Sequence, residues 1–196
     1  MKILLTAFEP FGGEKTNASL EAMRAIRAPE GIELIRLEVP TVFGAAGECV
    51  LRAVRHERPD IVLCLGQAAG RAAVTPERAA INVHDASIPD NAGKKPQDEP
   101  IVPGGPAAYF STLPIRAMVS AAKAVCVPAE ISNSAGTFVC NDLMYSLLHA
   151  LDAEFPQIRG GFVHVPACAP TGKDPAVPIL PTEKTAAAIE AMLAVL

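Results

Sequence analysis

The stretch that most constrains the fold is KILLTAF, residues 2–8, in which apolar residues follow one another almost without a break. A strand that is apolar along its whole length is typical of a parallel sheet with both faces covered. Similar short runs predict further strands over residues 32–39, 61–66, 129–134 and 161–166. The segments between them have helical periodicity, which predicts helices over residues 17–28, 43–57, 114–125, 138–152 and 181–196. This alternation predicts a three-layer α/β/α sandwich with a central, mostly parallel, twisted sheet.

The chain has 196 residues and neither an internal repeat nor a low-complexity linker, so residues 1–196 are predicted to form a single domain. One irregular region interrupts the alternation. Residues 67–113 are rich in Pro, Gly, Asn and Asp, and within them RAAINVHDAS, residues 78–87, has the pattern of an edge strand. A loop-rich insertion of this length usually serves as a lid, a binding loop or an interface arm.

Composition excludes several kinds of partner. The net charge is −4 and the Lys and Arg residues are scattered, so no nucleic-acid partner is expected. The apolar run at the N-terminus soon meets Pro10 and two glycines, too early for a signal sequence or a membrane span, which predicts a cytoplasmic protein with no membrane partner. The five cysteines are widely spaced without a C-x-x-C pair, which argues against a disulfide framework and against a metal site.

Cys140 lies where a run of small and hydroxylated residues, SNSAGT, leads into a helical segment. A thiol in the first turn of a helix is close to free backbone N–H groups and to the positive end of the helix dipole, which lowers its pKa and favours a nucleophile. A strand–turn–helix arrangement would present it at the carboxyl end of the sheet. The alternative is a small core residue, which is an equally common use of a free cysteine.

A cysteine nucleophile needs a base, and the chain has four histidines. His56 lies in a charged helix end and is expected to be solvated, His149 is too far along the helix of Cys140, and His84 lies in the irregular region. His164 stands near the end of an apolar strand that is expected to lie beside the Cys140 helix. It is therefore the best candidate, although a lone histidine in such a strand is more often structural.

An acid would complete the unit by orienting the imidazole. Glu77, Asp85 and Asp90 are the candidates in the irregular region, and spacing alone does not choose among them. Glu77 is followed by Arg78, so a solvated ion pair is its simpler interpretation.

Two aromatic residues close the first strand. Phe8 and Phe11 flank Pro10, and at least one ring is expected to project above the sheet. Core packing is the commoner use of Phe, but a pocket lined by these rings would suit a flat, small and uncharged ligand.

The sequence closely resembles the pyroglutamyl peptidase I family, also called pyrrolidone-carboxylate peptidases. The resemblance rests on seven collinear segments, which are LLTAFEPFGGEKTNAS, GQAAGR, ERAAIN, IPDN, GGPAAYF, SAGTFVCN and GFVHVP. It implies a cysteine omega-peptidase that cleaves after an N-terminal pyroglutamyl residue through an acyl-enzyme, with Cys140 as nucleophile, His164 as base and Glu77 as orienting acid. No cofactor and no metal are implied.

The same resemblance implies where and how the substrate binds. Phe8 and Phe11 correspond to the aromatic walls and Gln67 to a polar residue that contacts the lactam ring. The expected partners are N-terminally pyroglutamylated peptides and other copies of the chain in a homo-oligomer, a dimer or a tetramer, with residues 101–110 as a plausible contact. Ser87 is a departure, since the family often has Arg before IPDN, and this predicts weaker support of the oxyanion.

Two alternatives remain open from the sequence. A glutamine-type amidotransferase would carry a G-x-C-x-G elbow, whereas Cys140 is flanked by Val139 and Asn141. A non-catalytic small-molecule-binding relative of the same fold would have no need to keep a thiol, an imidazole and an acid together.

Overall fold

A computed structural model describes residues 1–170 and 176–196. Its main sheet contains four parallel strands and a short antiparallel one, in the spatial order β2–β1–β3–β7–β4. The strands are β1 (Lys2–Phe8), β2 (Glu33–Val39), β3 (Ile61–Gln67), β4 (Thr75–Pro76) and β7 (Arg159–Val165). The predicted run at residues 2–8 is thus confirmed as a strand with two neighbours, and successive side chains of β1 enter the cores on opposite faces of the sheet.

Helices cover both faces, as predicted for a three-layer α/β/α sandwich. The helices are α1 (Ala18–Ala25), α2 (Ala45–Glu57), α3 (Ile115–Ala124), α4 (Val139–Glu154) and α5 (Thr182–Leu193). One face is packed by α1, α3 and α5, and the other by α2 and α4. No helix in the described part of the chain combines the length and the apolar character needed to cross a membrane.

The irregular region, residues 67–113, contributes β4 to the edge of the main sheet. It also forms a separate antiparallel pair, β5 (Ala79–Ile81) and β6 (Ala108–Phe110), that contacts α4. The predicted edge strand over residues 78–87 is therefore wrong in its extent and in its sheet. Only three of its residues are in a strand, and they pair with β6.

The predicted strand over residues 129–134 is also wrong. This segment runs parallel to residues 74–79 but makes only two isolated bridges, Val74 with Ala129 and Glu77 with Ser132. Pro76 faces it from the other chain segment, and proline has no N–H to donate to the neighbouring backbone. The ladder of hydrogen bonds is interrupted at that point, although Ser132 N–H still donates to Pro76 O at 3.1 Å.

Candidate active site

The carboxyl ends of β3 and β7 bring the candidate nucleophile and base together. His164 on β7 is in register with Gly66 on β3. Gly136, with φ 84°, makes the turn that leads into α4, where Cys140 is the second residue. The sulfur lies so close to β3 that a Cβ placed on Gly66 would be 2.9 Å from Cys140 Sγ. The thiol therefore sits directly over the strand that pairs with the strand of His164.

The acid beside His164 is Glu77. Its Oε1 lies 2.7 Å from His164 Nδ1, and both side chains are buried. The pairing of β4 with β7 explains this contact, because Thr75 is opposite His164 and Glu77 follows two residues later. The same Oε1 lies 2.6 Å from Arg71 Nη1. We call Arg71, Glu77 and His164 the charged cluster.

The interpretation of Glu77 as a solvated ion pair with Arg78 is wrong, because Glu77 has no exposed surface and Arg78 Nε donates to Asn133 Oδ1 instead. The other candidate acids have different roles. Asp90 accepts hydrogen bonds from the backbone N–H groups of Phe43, Ala92 and Lys94, and Asp85 pairs through its backbone with Thr137.

The other three histidines are engaged elsewhere. His56 is 82% exposed and lies against Glu57, as expected for a solvated residue. His149 Nδ1 lies 2.9 Å from the hydroxyl of Tyr109, and His84 Nε2 lies 2.9 Å from the buried Asp142.

Burial and charge set the protonation of the cluster. Burial raises the pKa of Glu77, but the hydrogen bond and charge of His164 together with Arg71 outweigh it, so that the pKa is lowered. Burial lowers the pKa of His164, and Arg71 adds to that effect while Glu77 opposes it. Glu77 is therefore a carboxylate facing a neutral imidazole.

The prediction of a lowered thiol pKa is wrong. Burial raises the pKa of Cys140 to about 12, and the negative charge of Glu77 adds to the effect more than Arg71 offsets it. Desolvation of the thiolate outweighs the helix dipole here, since the sulfur packs against β3, although Cys140 keeps part of its surface exposed where it lines a pocket. The resting pair is thus a thiol and a neutral imidazole.

A pocket opens beside the thiol. It is lined by two aromatic residues at the end of β1 and in the loop that follows, three polar residues and two residues at the start of α4, which are Phe8, Phe11, Asn17, Thr41, Gln67, Phe138 and Cys140. We call it the aromatic pocket. The predicted site residues Phe8, Phe11 and Gln67 all line it. None of its lining residues in the described chain carries a charged side chain, so it suits a neutral, flat group.

Gln67 has a fixed orientation in this pocket. Its Oε1 accepts the N–H of Ala18, the first residue of α1, at 2.6 Å. Because a backbone N–H can only donate, the amide oxygen is assigned to that side. The Nε2 group is left as a donor on the other side.

Sequence reasoning missed three residues of the pocket. Phe138 stands two residues before Cys140, and its ring lies edge-on to that of Phe43, with centroids 5.3 Å apart. Asn17 and Thr41 are held by hydrogen bonds to the backbone carbonyl of Glu9. Asn17 and Phe138 lie inside the seven segments that carry the family resemblance, so they could have been found from the sequence. Thr41 lies outside those segments.

Two loops are joined to form the rim of this pocket. Asn91 Nδ2 donates to Glu9 Oε1 at 2.9 Å and to Pro10 O at 3.0 Å. Asp90 Oδ2 accepts the N–H of Phe43 at 2.9 Å. The IPDN segment therefore fixes the loops that carry the aromatic walls.

A thiol, an imidazole and a carboxylate at the carboxyl end of a parallel sheet, next to a small uncharged pocket, are typical of the class of cysteine-type hydrolases. Among residues 1–170 and 176–196, no group of His, Cys, Asp and Glu is arranged to hold a metal ion.

The family model described as "Pyroglutamyl peptidase" matches residues 1–196. The chain is 51% identical to a pyrrolidone-carboxylate peptidase of Streptomyces coelicolor, over 98% of this chain and 90% of the relative. It is 53% identical to one of Levilactobacillus brevis, over 85% of this chain and 82% of the relative. The crystal structure of Bacillus amyloliquefaciens pyroglutamyl peptidase I superposes with a TM-score of 0.95 at 41% identity, covering 99% of this chain and 95% of that one.

The chain belongs to the pyroglutamyl peptidase family, and it is an enzyme of the peptidase class. The resemblance carried by the seven segments and the predicted α/β/α fold are both confirmed. Membership over the full length leaves no support for the amidotransferase alternative.

Proposed function

We propose that this enzyme hydrolyses the bond after an N-terminal pyroglutamyl residue, with Cys140 as nucleophile, His164 as general base and Glu77 as the residue that orients His164. One observation carries the assignment. His164 Nδ1 and Glu77 Oε1 are 2.7 Å apart inside a buried site, so the carboxylate holds the proton on Nδ1 and leaves Nε2 as the basic nitrogen.

The mechanism starts from the neutral pair. As Cys140 Sγ attacks the pyroglutamyl carbonyl carbon, His164 Nε2 takes the thiol proton, because a free thiolate is unfavourable in this buried site. The imidazolium that forms is stabilised by Glu77. It returns the proton to the leaving amine as the C–N bond breaks, which leaves a thioester. Water, deprotonated by His164, then hydrolyses the thioester and restores the thiol.

The start of α4 is the candidate site for the oxyanion. Phe138 O accepts from the N–H groups of Asn141 and Asp142, whereas those of Val139 and Cys140 precede the first intrahelical bonds and have no backbone acceptor among the described residues. Ser87 is exposed, on a loop that Asp85 ties to Thr137. With Ser87 in place of Arg, the developing charge rests on main-chain donors, and we expect a lower rate than an Arg at this position would support.

Recognition follows from the aromatic pocket. Phe8 and Phe11 supply walls for the flat lactam, and the free Nε2 of Gln67 is placed to donate to the ring carbonyl. An ordinary peptide N-terminus carries an ammonium group, and this pocket offers it no carboxylate among the described residues. The neutral lining thus favours a pyroglutamyl terminus over a free one.

The test is release of the fluorescent amine from pyroglutamyl-aminomethylcoumarin, with alanyl-aminomethylcoumarin as the control substrate. Wild type is expected to turn over the first substrate only, and Cys140→Ser is expected to abolish turnover. Cys126→Ser, at an exposed cysteine, is the matched control and is expected to keep full activity. Absence of turnover by folded, reduced wild type would contradict the proposal and support a non-catalytic binding relative.

A further inference from the structure

Arg71 contacts Glu77 but has no part in the proposed mechanism. It lies in the turn after β3, where its N–H donates to Ala68 O, and its Nη1 is 2.6 Å from Glu77 Oε1 and 2.5 Å from Thr75 Oγ1. Its side chain is 32% exposed, whereas that of Glu77 is fully buried. Arg71 thus reaches from the surface into the charged cluster.

A single oxygen of Glu77 serves both partners. Oε1 accepts from Arg71 Nη1 and from His164 Nδ1, while Oε2 is buried and makes no hydrogen bond of good geometry among the described residues, although the nearby side chain of Ser132 helps to lower the pKa of Glu77. A buried carboxylate is costly unless it is paired. His164 is neutral, so Arg71 is the positive charge that compensates Glu77.

We propose that Arg71 is a positioning residue for the reaction, an inference that rests on the proposed function. It anchors the Glu77 carboxylate and offsets its charge, so that His164 stays neutral and keeps its proton on Nδ1. Arg71 needs no contact with the substrate in this role.

The groups around His164 support this assignment. Glu77 acts on it from the segment after β4 and Arg71 from the loop after β3, and the same two charges act on the thiol of Cys140 in α4, while Cys64 is buried on the same face of β3. Glu77 alone would favour the imidazolium and raise the pKa of His164. The positive charge of Arg71 acts in the opposite direction, and with burial it keeps that pKa below the ordinary value.

The experiment compares Arg71→Met with Arg71→Lys and measures the pH dependence of kcat/KM for pyroglutamyl-aminomethylcoumarin. Without the positive charge, the pKa of His164 rises, so the acid limb of the profile moves to higher pH. The value of kcat/KM at neutral pH is expected to fall roughly 10- to 100-fold, mainly through kcat. Arg71→Lys keeps the charge, so its acid limb is expected to stay at the wild-type position and part of the activity to return.

Arg55→Met is the matched control, since Arg55 forms an exposed ion pair with Glu154. It is expected to leave the profile unchanged. An acid limb of Arg71→Met that stays in place or moves to lower pH would overturn the proposal. So would an Arg71→Lys profile displaced as far as that of Arg71→Met, because the charge would then not matter.

A second readout separates this proposal from the proposed function. The rate of Cys140 alkylation by iodoacetamide, followed against pH, depends on His164 as base and needs no peptidase turnover. Wild type that is alkylated at Cys140 but cleaves no substrate would refute the function alone, and a shift of the alkylation profile in Arg71→Met would still support the role of Arg71. An unshifted alkylation profile would refute that role.

Discussion

The charged cluster and the aromatic pocket, which Cys140 lines, are held together differently. In the charged cluster, one carboxylate oxygen accepts two short hydrogen bonds, from His164 and Arg71, in a buried site. In the aromatic pocket, the walls are rings in mutual contact and the polar groups are neutral amides and hydroxyls. Under the proposed function, proton transfer depends on charge, whereas recognition depends on shape and one oriented amide. Changes in the first region are expected to act on kcat and changes in the second on KM.

The largest effect is expected for Glu77→Gln. The amide is nearly isosteric but neutral, and it cannot satisfy Arg71 and His164 as a carboxylate does. The tautomer of His164 is then no longer enforced, so kcat is expected to fall by about 10³- to 10⁴-fold with little change in KM. Steady-state kinetics on pyroglutamyl-aminomethylcoumarin measure both values. A loss that appeared in KM instead would break the assignment of this cluster to chemistry.

A smaller effect is expected where the two regions meet, at Gly66. A Cβ at this position would lie 2.7 Å from Phe162 Cζ and 2.9 Å from Cys140 Sγ, so Gly66→Ala displaces the thiol. Since a displacement of about 1 Å can cost about 100-fold, kcat is expected to fall by roughly that factor.

Gly161→Ala is the matched control for Gly66→Ala. Its Cβ would lie 2.5 Å from Ser111 Oγ and 2.8 Å from Leu113 Cδ1, in the core on the opposite face of the sheet. Thermal unfolding is expected to show destabilisation, with kcat per folded molecule unchanged. Equal losses of kcat in both variants would mean that general strain in the sheet, rather than displacement of the thiol, is responsible.

The smallest effect is expected in the aromatic pocket, for Gln67→Glu. The carboxylate keeps an acceptor for the N–H of Ala18 but replaces the Nε2 donor with an oxygen that repels the lactam carbonyl. The value of kcat/KM is expected to fall roughly 10- to 100-fold, mainly through a higher KM. Inhibition by 2-pyrrolidone, which reports ring binding alone, is expected to weaken in parallel. Unchanged inhibition would show that Gln67 does not contact the ring.

The elements of the fold could be predicted because their signals are local. The bounds of β1 agree with the apolar run at residues 2–8, and the five helices begin within two residues of the predicted positions. The strand at residues 129–134 failed because its ladder is broken by Pro76, which lies about fifty residues earlier in the chain. Pairing between distant segments leaves no periodic trace in either of them.

The residues of the candidate site likewise divide into those with a local signal in the sequence and those that depend on distant contacts. Cys140 and His164 could be proposed from their own neighbourhoods, but the choice of Glu77 over Asp85 and Asp90 depends on the pairing of β4 with β7. The thiol pKa was predicted in the wrong direction because the helix start is visible in the sequence while the burial against β3 is not. The role of Arg71 depends on the same tertiary contact.

The order of the strands has a consequence for folding. Among the strands in the described part of the chain, β7 is the last to be synthesised, yet it lies between β3 and β4, which are formed from residues 61–76. It carries His164 into register with Gly66 on one side and Thr75 on the other. Bringing together residues that are so far apart in the sequence costs chain entropy and slows folding. The candidate catalytic groups are therefore brought together only when β7 has inserted between β3 and β4, and peptidase activity is expected to report that long-range step.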